Sequence, residues 1–490
     1  MINVGIDELL KNRTLIIVSN RGPVSFIRSN ASLEARRGGG GLVTALSGVC
    51  RTTRARWISA AMTPGDREVA LSGRAIPFPA DEPSYSIRLV DIADDIYERY
   101  YNSISNPLIW FVFHYLWNLV DHPKIDRSVI EDWREGYLVA NRLLAEAAVN
   151  EASFVERPVI MVQDYHLLAA SRYVKKALPN VPVIHFNHIP WPEPNYFQVL
   201  PKEMQVGLIE GLLFADIVGF QTSRYARAFL ACCEESAGFE VDWSTRAVRA
   251  GGRRVLTRAY PISIDADSLI DVANRENVLN HERLIKNENA GMKLIVRSDR
   301  ADLSKNIVRG FEAFDRMLID HPELKRKVRF LAFLYPTRDK LKEYADYRTR
   351  IEQTVADVNE CHGTDDWQPI GLRIKDDYPE SVAALKLYDV LLVNSIFDGM
   401  NLVSKEGPLV NKRNGVLVLS ENAGSHFEMG EAALVINPFD VQETADALYR
   451  ALILPERERQ PRAWWLKEIV IRNDTTKWLY HQLKDVCSIG

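Results

Sequence analysis

Short, continuously apolar runs recur along this chain, and each precedes a stretch whose apolar positions fall at helical spacing. A first series opens at residues 15–18, returns at 159–162, 183–186 and 217–220, and ends near Tyr260-Pro261. A second opens at 294–296 and continues through 328–334, 390–393, 416–419 and 434–436. Strands covered on both faces need such unbroken runs, and their alternation with helices predicts parallel sheets rather than an all-β or all-α fold. Two series predict two α/β domains, residues 1–264 and 265–470, followed by a C-terminal helix, 471–490, that returns to the first domain. The stretch between Pro23 and Arg36 reads as a charged loop, and the charged, Asn-rich stretch 265–291 places a hinge at its start. Residues 464–484 read as amphipathic helix, with Asn473-Asp474 as a break and cap.

Composition narrows the function classes. A chain of 490 residues is long for one core. With 47% apolar and 26% charged residues and a net charge of −4, it carries no sign of a nucleic-acid-binding surface or of disorder. Five cysteines, at 50, 232, 233, 361 and 487, form no metal-ligand or paired spacing; each reads as a small buried hydrophobe in a reducing cytoplasm. The N-terminus lacks secretory character, and the apolar run 108–120 contains His114 and Asn118 and is too short to span a bilayer. The expectation is a cytoplasmic protein with small-molecule partners and no membrane or nucleic-acid role; whether it forms a homo-oligomer stays open.

Candidate chemistry gathers at the ends of the apolar runs. Residues 390–406 combine a strand, the turn Asp398-Gly399 and a helix start at Leu402-Val403, which leaves the amides of Met400, Asn401 and Leu402 for an anion. Asp398 suits sugar hydroxyls, and Glu406, one turn beyond Leu402, suits a ribose. After the run 294–296, Arg300 and Lys305 form a pair fitted to a diphosphate. Arg338 follows the next strand. In the first series, Arg21 and the glycines 38–41 follow the opening strand. Those glycines leave amides accessible for a diphosphate, or form a flexible surface loop. The dinucleotide fingerprint fails because position 43 is valine, and no P-loop Gly-Lys-Ser/Thr follows. Tyr101 and Trp110 sit in an aromatic, polar segment, and Asp164 and His188 each follow a strand, where ligands of open α/β sheets bind.

In order along nearly the whole chain, Ser19-Asn20-Arg21, Gly40-Gly41-Leu42, Trp57, Tyr101 with Trp110, Asp164-Tyr165-His166, His188-Ile189-Pro190, Arg300 with Lys305, Arg338, the run 398–403 and Glu406 resemble the trehalose-6-phosphate synthase family of retaining glycosyltransferases. The tail residues Asn473, Asp474 and Trp478 match as well. The resemblance implies the α/β GT-B fold, two Rossmann-like domains whose parallel sheets face across a cleft. It implies glucose transfer from a nucleoside-diphosphate glucose, UDP-glucose favoured, to glucose 6-phosphate with retention. By resemblance, Arg21, Tyr101, Trp110, Asp164 and Arg338 hold the acceptor. Gly41, His188, Arg300, Lys305, Asp398, Met400, Asn401, Leu402, Val403 and Glu406 hold the donor, and Arg300, Lys305, His188 and Asp398 carry catalysis. No cofactor or metal is expected, since no Asp-x-Asp or His cluster stands beside Arg300 and Lys305 to bind Mg²⁺ in their place.

Three departures bear on the acceptor. Phe397 stands where the family has Arg, Ser263 replaces a hinge glycine, and Glu406 is followed by Gly407-Pro408-Leu409-Val410-Asn411 rather than aromatic-Val-Ala. That helix is similar to the one in validoxylamine 7′-phosphate synthase, whereas Tyr101, Trp110 and Met400-Asn401 favour a sugar-phosphate acceptor and a glucosyl donor. The alternatives are glycerol 3-phosphate or a cyclitol phosphate as acceptor, or a catalytically silent sugar-phosphate sensor, against which Arg300, Lys305, Asp398 and Glu406 argue.

Overall fold

The structure, a computed structural model, describes residues 2–29, 32–37, 53–79 and 81–489, together with Leu46 and Cys50. The chain forms two compact units, Met1–Ile262 with Thr475–Gly490, and Ser263–Asp474.

The first unit is built on ten described strands: β1 (Thr14–Ser19), β4 (Arg56–Ala60), β5 (Ile76–Phe78), β6 (Tyr85–Val90), β7 (Pro158–Gln163), β8 (Val183–Asn187), β9 (Ile217–Phe220), β10 (Glu240–Asp242), β11 (Ala247–Ala250) and β12 (Arg253–Ala259). Their order is β10-β11-β12-β9-β8-β7-β1-β4-β6-β5. The seven from β12 to β6 pair in parallel, while β10, β11 and β5 add antiparallel edges. Winding runs outward in both directions from β1 and β7, so the ends of those two strands flank the switch point where such sheets bind ligands.

The second unit holds β13 (Lys293–Arg300), β14 (Val328–Tyr335), β15 (Ile370–Ile374), β16 (Val390–Val393), β17 (Val416–Ser420) and β18 (Leu434–Ile436). All pair in parallel in the order β15-β14-β13-β16-β17-β18, the doubly wound arrangement, with its switch point between β13 and β16. The unbroken apolar runs are explained by two cores. Ile295, Phe330, Ala332, Val390, Leu392 and Val418 face one, whereas Leu294, Val296, Leu331, Leu391, Val393 and Leu419 face the other.

The structure corrects two sequence expectations, on the stretch after Pro23 and on the cysteines, and shows the conformation of residues 265–291. The stretch expected as a charged loop forms an antiparallel hairpin, β2 (Val24–Ser29) with β3 (Ser32–Arg37), in which Val24 and Phe26 are buried. Six residues with serine and arginine on the outer face were too short and polar to register as a strand. Residues 265–291 are mostly helical, Ala266–Ala273 and Glu276–Glu288, with Leu269, Val272, Val278 and Ile285 packed into the second core. Of the cysteines, Cys50, Cys232 and Cys233 are buried, Cys487 is half-buried and Cys361 is exposed. Among the described residues no helix is long and apolar enough to cross a membrane.

Candidate functional site

In the second unit the loops after β13 and β16 meet at the switch point. β13 ends at Arg300, whose side chain is 43% exposed and stands 4.0 Å from the Asp302 carboxylate. A single turn, Leu303–Lys305, capped by Asp302, then brings Lys305 onto the Asp398 carboxylate, 93 residues further on. Asp398 also accepts from the Ser395 hydroxyl and the Asn401 amide, both at 3.1 Å. Lys305 thus faces a carboxylate whose orientation is fixed by two neutral donors.

The turn after Asp398 is fixed from both sides. Asn401 takes a left-handed φ of +72°, and its side-chain oxygen accepts from the Ser404 amide at 3.1 Å, opening helix Val403–Val410. Gly424 supports the turn from below: its amide donates to the Asp398 carbonyl at 3.1 Å, and a Cβ there would lie 1.9 Å from the Gly399 carbonyl oxygen. Among the described residues nothing accepts from the amides of Met400, Asn401 or Leu402, which leaves three donors at a helix start. Glu406 lies one turn into the helix; burial pushes its carboxyl up to about 7, against the hydrogen bond from Tyr378. Gly407 allows the helix to lie against β16, since a Cβ there would meet Leu391 at 2.4 Å.

Several supporting residues were not singled out in the sequence. Arg297, fully buried within β13, donates to Asp299 at 2.8 Å and to the Lys305 carbonyl at 2.9 Å, so it ties the strand to the loop that carries Lys305. Lys405, also fully buried, pairs with Glu428 at 2.7 Å, and burial pulls its ammonium below the ordinary lysine value. Asp302 and Tyr344 hold the candidate Arg338, which at φ +52° pairs with Asp302, donates to the Tyr344 hydroxyl at 2.8 Å and stacks over that ring at 5.3 Å. Only the i+2 spacing of Arg300 and Asp302 offered a local signal for this last group; the other partners are distant in sequence.

In the first unit the ends of β1 and β7 carry the second set. Ser19 accepts from the Trp57 indole at 2.7 Å and donates to the Arg21 carbonyl at 2.7 Å, which shapes the turn that presents Arg21. The Arg21 guanidinium donates to the Tyr101 hydroxyl at 3.1 Å, and the Tyr101 ring stacks between Tyr97 and His166. Tyr101 belongs to a π-helix, Glu98–Ile109, which continues into Trp110, a buried ring stacked on His114 at 3.9 Å. Asp164, at φ +76°, follows β7 and accepts from the His188 amide at 3.2 Å. His188 is bracketed by Gln163, 2.8 Å from Nε2, and Gln221, 3.3 Å from Nδ1. Because Gln221 already accepts from the Ile262 amide, its NH₂ faces Nδ1 and the ring proton sits on Nε2. Burial pulls His188 down to about 3, so it is neutral. Trp478, from the C-terminal helix Thr475–Cys487, packs 6.0 Å from it.

The structure therefore brings Arg300, Lys305, Asp398, Met400, Asn401, Leu402, Val403 and Glu406 together around one switch point, and Arg21, Tyr101, Asp164 and His188 along the strand ends of the other sheet. Arg338 belongs with the second unit, beside Asp302, and Trp110 is packed among aromatic rings of the first. Gly41 and the rest of the glycine loop lie outside the described residues.

Two doubly wound parallel sheets with polar groups at their switch points make this a glycosyltransferase of the GT-B fold. Its sequence matches the profile of glycosyltransferase family 20 over residues 13–488, and the chain belongs to that family. An alpha,alpha-trehalose-phosphate synthase (UDP-forming) of Schizosaccharomyces pombe is 32% identical over 464 residues, covering 92% of this chain and 85% of that protein. A Burkholderia xenovorans alpha,alpha-trehalose-phosphate synthase (UDP-forming), solved in complex with glucose-6-phosphate, superposes with a TM-score of 0.83 at 29% identity, covering 96% of this chain and 99% of that one. An E. coli structure described as trehalose-6-phosphate bound with UDP-2-fluoro glucose gives a TM-score of 0.83 at 28% identity, covering 98% and 99%.

Proposed function

We propose that this glycosyltransferase moves glucose from UDP-glucose to glucose 6-phosphate with retention, giving α,α-trehalose 6-phosphate. The observation that carries the proposal is the switch point of the second unit, where Lys305 is paired with Asp398 beside three uncommitted amides and Arg300. A diphosphate there takes Lys305, Arg300 and the amides of 400–402, and frees Asp398 for the hydroxyls of the donor glucose. Glu406 takes the ribose. The bond from the anomeric carbon to the phosphate oxygen breaks, the bond from that carbon to the acceptor hydroxyl forms, and the hydroxyl proton passes to the departing diphosphate. Negative charge grows on that diphosphate as the bond opens, so the two cations act where charge develops, and the reaction is proposed to need no metal.

In the first unit Arg21 and Tyr101, already hydrogen-bonded, take the acceptor phosphate with Trp110 alongside, and Asp164 takes acceptor hydroxyls. Arg338 is assigned to the acceptor phosphate as well. His188, held neutral, contacts the transferred glucose without adding positive charge beside a developing oxocarbenium ion. Support comes from the relatives' names and from the two complexes, one with glucose-6-phosphate and one with UDP-2-fluoro glucose.

The test mixes the purified protein with UDP- and other nucleoside-diphosphate glucoses and with glucose 6-phosphate, glycerol 3-phosphate or a cyclitol phosphate. Mass and NMR then identify the product and its anomeric configuration. α,α-Trehalose 6-phosphate is expected. A different acceptor product would reassign the first unit's site, and no nucleotide release with any pair would leave a sensor.

A further inference from the structure

Asp315, Cys361 and His362 stand apart from both strand-end sites. Their ligand atoms all lie within 4.8 Å of one another. Asp315 is in the last half of helix Ile307–Asp320, and Cys361 and His362 end helix Lys342–His362. The two helices share a core on one face of the sheet through Phe311, Phe314, Ile351 and Val355. In a parallel α/β sheet the helices run against the strands, so their C-terminal ends lie at the strand edge opposite Arg300 and Lys305.

Two features distinguish this cluster from an ordinary surface hydrogen bond. The His362 side chain is only 3% exposed, with Nε2 at 2.7 Å from Asp315 Oδ1, while its buried Nδ1 has no partner among the described residues. Nε2 is the ring nitrogen that faces Asp315, so it is the one an ion held between the two residues takes. Cys361, next along the chain, is a free and exposed thiol. We propose that Asp315, Cys361 and His362 form a site for a zinc-type divalent ion, with water as the fourth ligand.

Ligand chemistry selects the ion. A thiolate with an imidazole suits Zn²⁺ or Co²⁺, whereas Mg²⁺ and Ca²⁺ take oxygen ligands. Ligand atoms about 2.1 Å from a tetrahedral ion are roughly 3.4 Å from each other. The Asp315–His362 hydrogen bond therefore opens by a fraction of an ångström and the widest separation closes by little more than one, which side-chain rotation supplies. Binding expels the thiol proton. The ion clamps two helices of the second unit and takes no part in glycosyl transfer.

The experiment titrates Co²⁺ into the full chain under reducing conditions and follows the thiolate-to-cobalt charge-transfer band and the visible bands of a four-coordinate ion. Zn²⁺ should abolish both. Cys361→Ser should lose the charge-transfer band, and Asp315→Asn and His362→Gln should each weaken binding by about tenfold or more. Glycosyl transfer by Cys361→Ser should match the wild type. Asp315 is partly exposed, so its variant remains informative should His362→Gln fail to fold. Absence of both bands overturns the proposal. So does a charge-transfer band of undiminished affinity in Asp315→Asn, which would mean adventitious binding to the thiol alone.

Discussion

Glu406→Gln isolates a carboxyl of the second unit whose ionisation is shifted by burial. Its rise from the ordinary 4.5 to about 7 corresponds, at about 1.4 kcal/mol per pH unit, to on the order of 3 kcal/mol against the ionised form. A carboxyl raised in the folded state favours folding below its ordinary value, and that contribution is lost as pH rises through about 7. Urea denaturation of wild type and variant between pH 4.5 and 8 should therefore converge on a difference of about 3 kcal/mol, wild type losing ground as pH rises. Nucleotide reverses the preference. Ribose hydroxyls donate best to a carboxylate, so UDP must drive a proton off Glu406 below pH 7. At pH 6, one unit below the raised value, wild-type affinity should be about tenfold weaker than at pH 8, after subtracting the same titration in Glu406→Gln, which cancels the titration of UDP itself. Calorimetry in two buffers of different ionisation heat counts the protons. Superimposable pH profiles for wild type and variant would refute both the burial argument and the ribose assignment.

Arg300→Ala should fold normally and lose about 10²–10³ in kcat, measured by UDP release; a wild-type rate would remove the donor assignment. Arg297→Met leaves Asp299 buried without its partner and should cost about 3–5 kcal/mol in denaturation. Gly424→Ala forces a methyl onto the Gly399 carbonyl and should weaken UDP binding at least as much as it lowers stability, read by calorimetry alongside melting. His185 and His188, both buried and pulled down to about 3, favour the fold while neutral, so acidification below their ordinary 6.5 should cost about 1.4 kcal/mol per pH unit for each, and His188→Gln should remove one share. Chelation with EDTA should leave the transfer rate unchanged.

What could be read without coordinates depended on range along the chain. Lys305 and Asp398 were singled out because each follows closely on an apolar strand, where α/β sheets bind ligands, and Glu406 because it stands one turn beyond Leu402 on the helix that follows. That Lys305 pairs with Asp398 was not legible, since a contact across 93 residues leaves no local pattern. Arg297 was not singled out for a related reason: a charged side chain inside a strand looks solvent-facing until its guanidinium is found buried against Asp299. The β2–β3 hairpin, only six residues a side, fell below the length at which alternation stands out from a charged loop.

Hydrophobic patterning alone pointed to two parallel sheets, because strands buried on both faces are built from nearly continuous apolar runs. The sequence also located the reactive residue types at the strand ends. Only the tertiary structure decided which strands neighbour one another, and so which ends share a switch point. It alone decided that Asp302 serves Arg338, that Gln163 and Gln221 fix the tautomer of a buried His188, and that Asp315 meets His362. Patterning acts through solvent exclusion, a property of each segment, whereas pairing depends on the geometry of packed segments far apart in the chain.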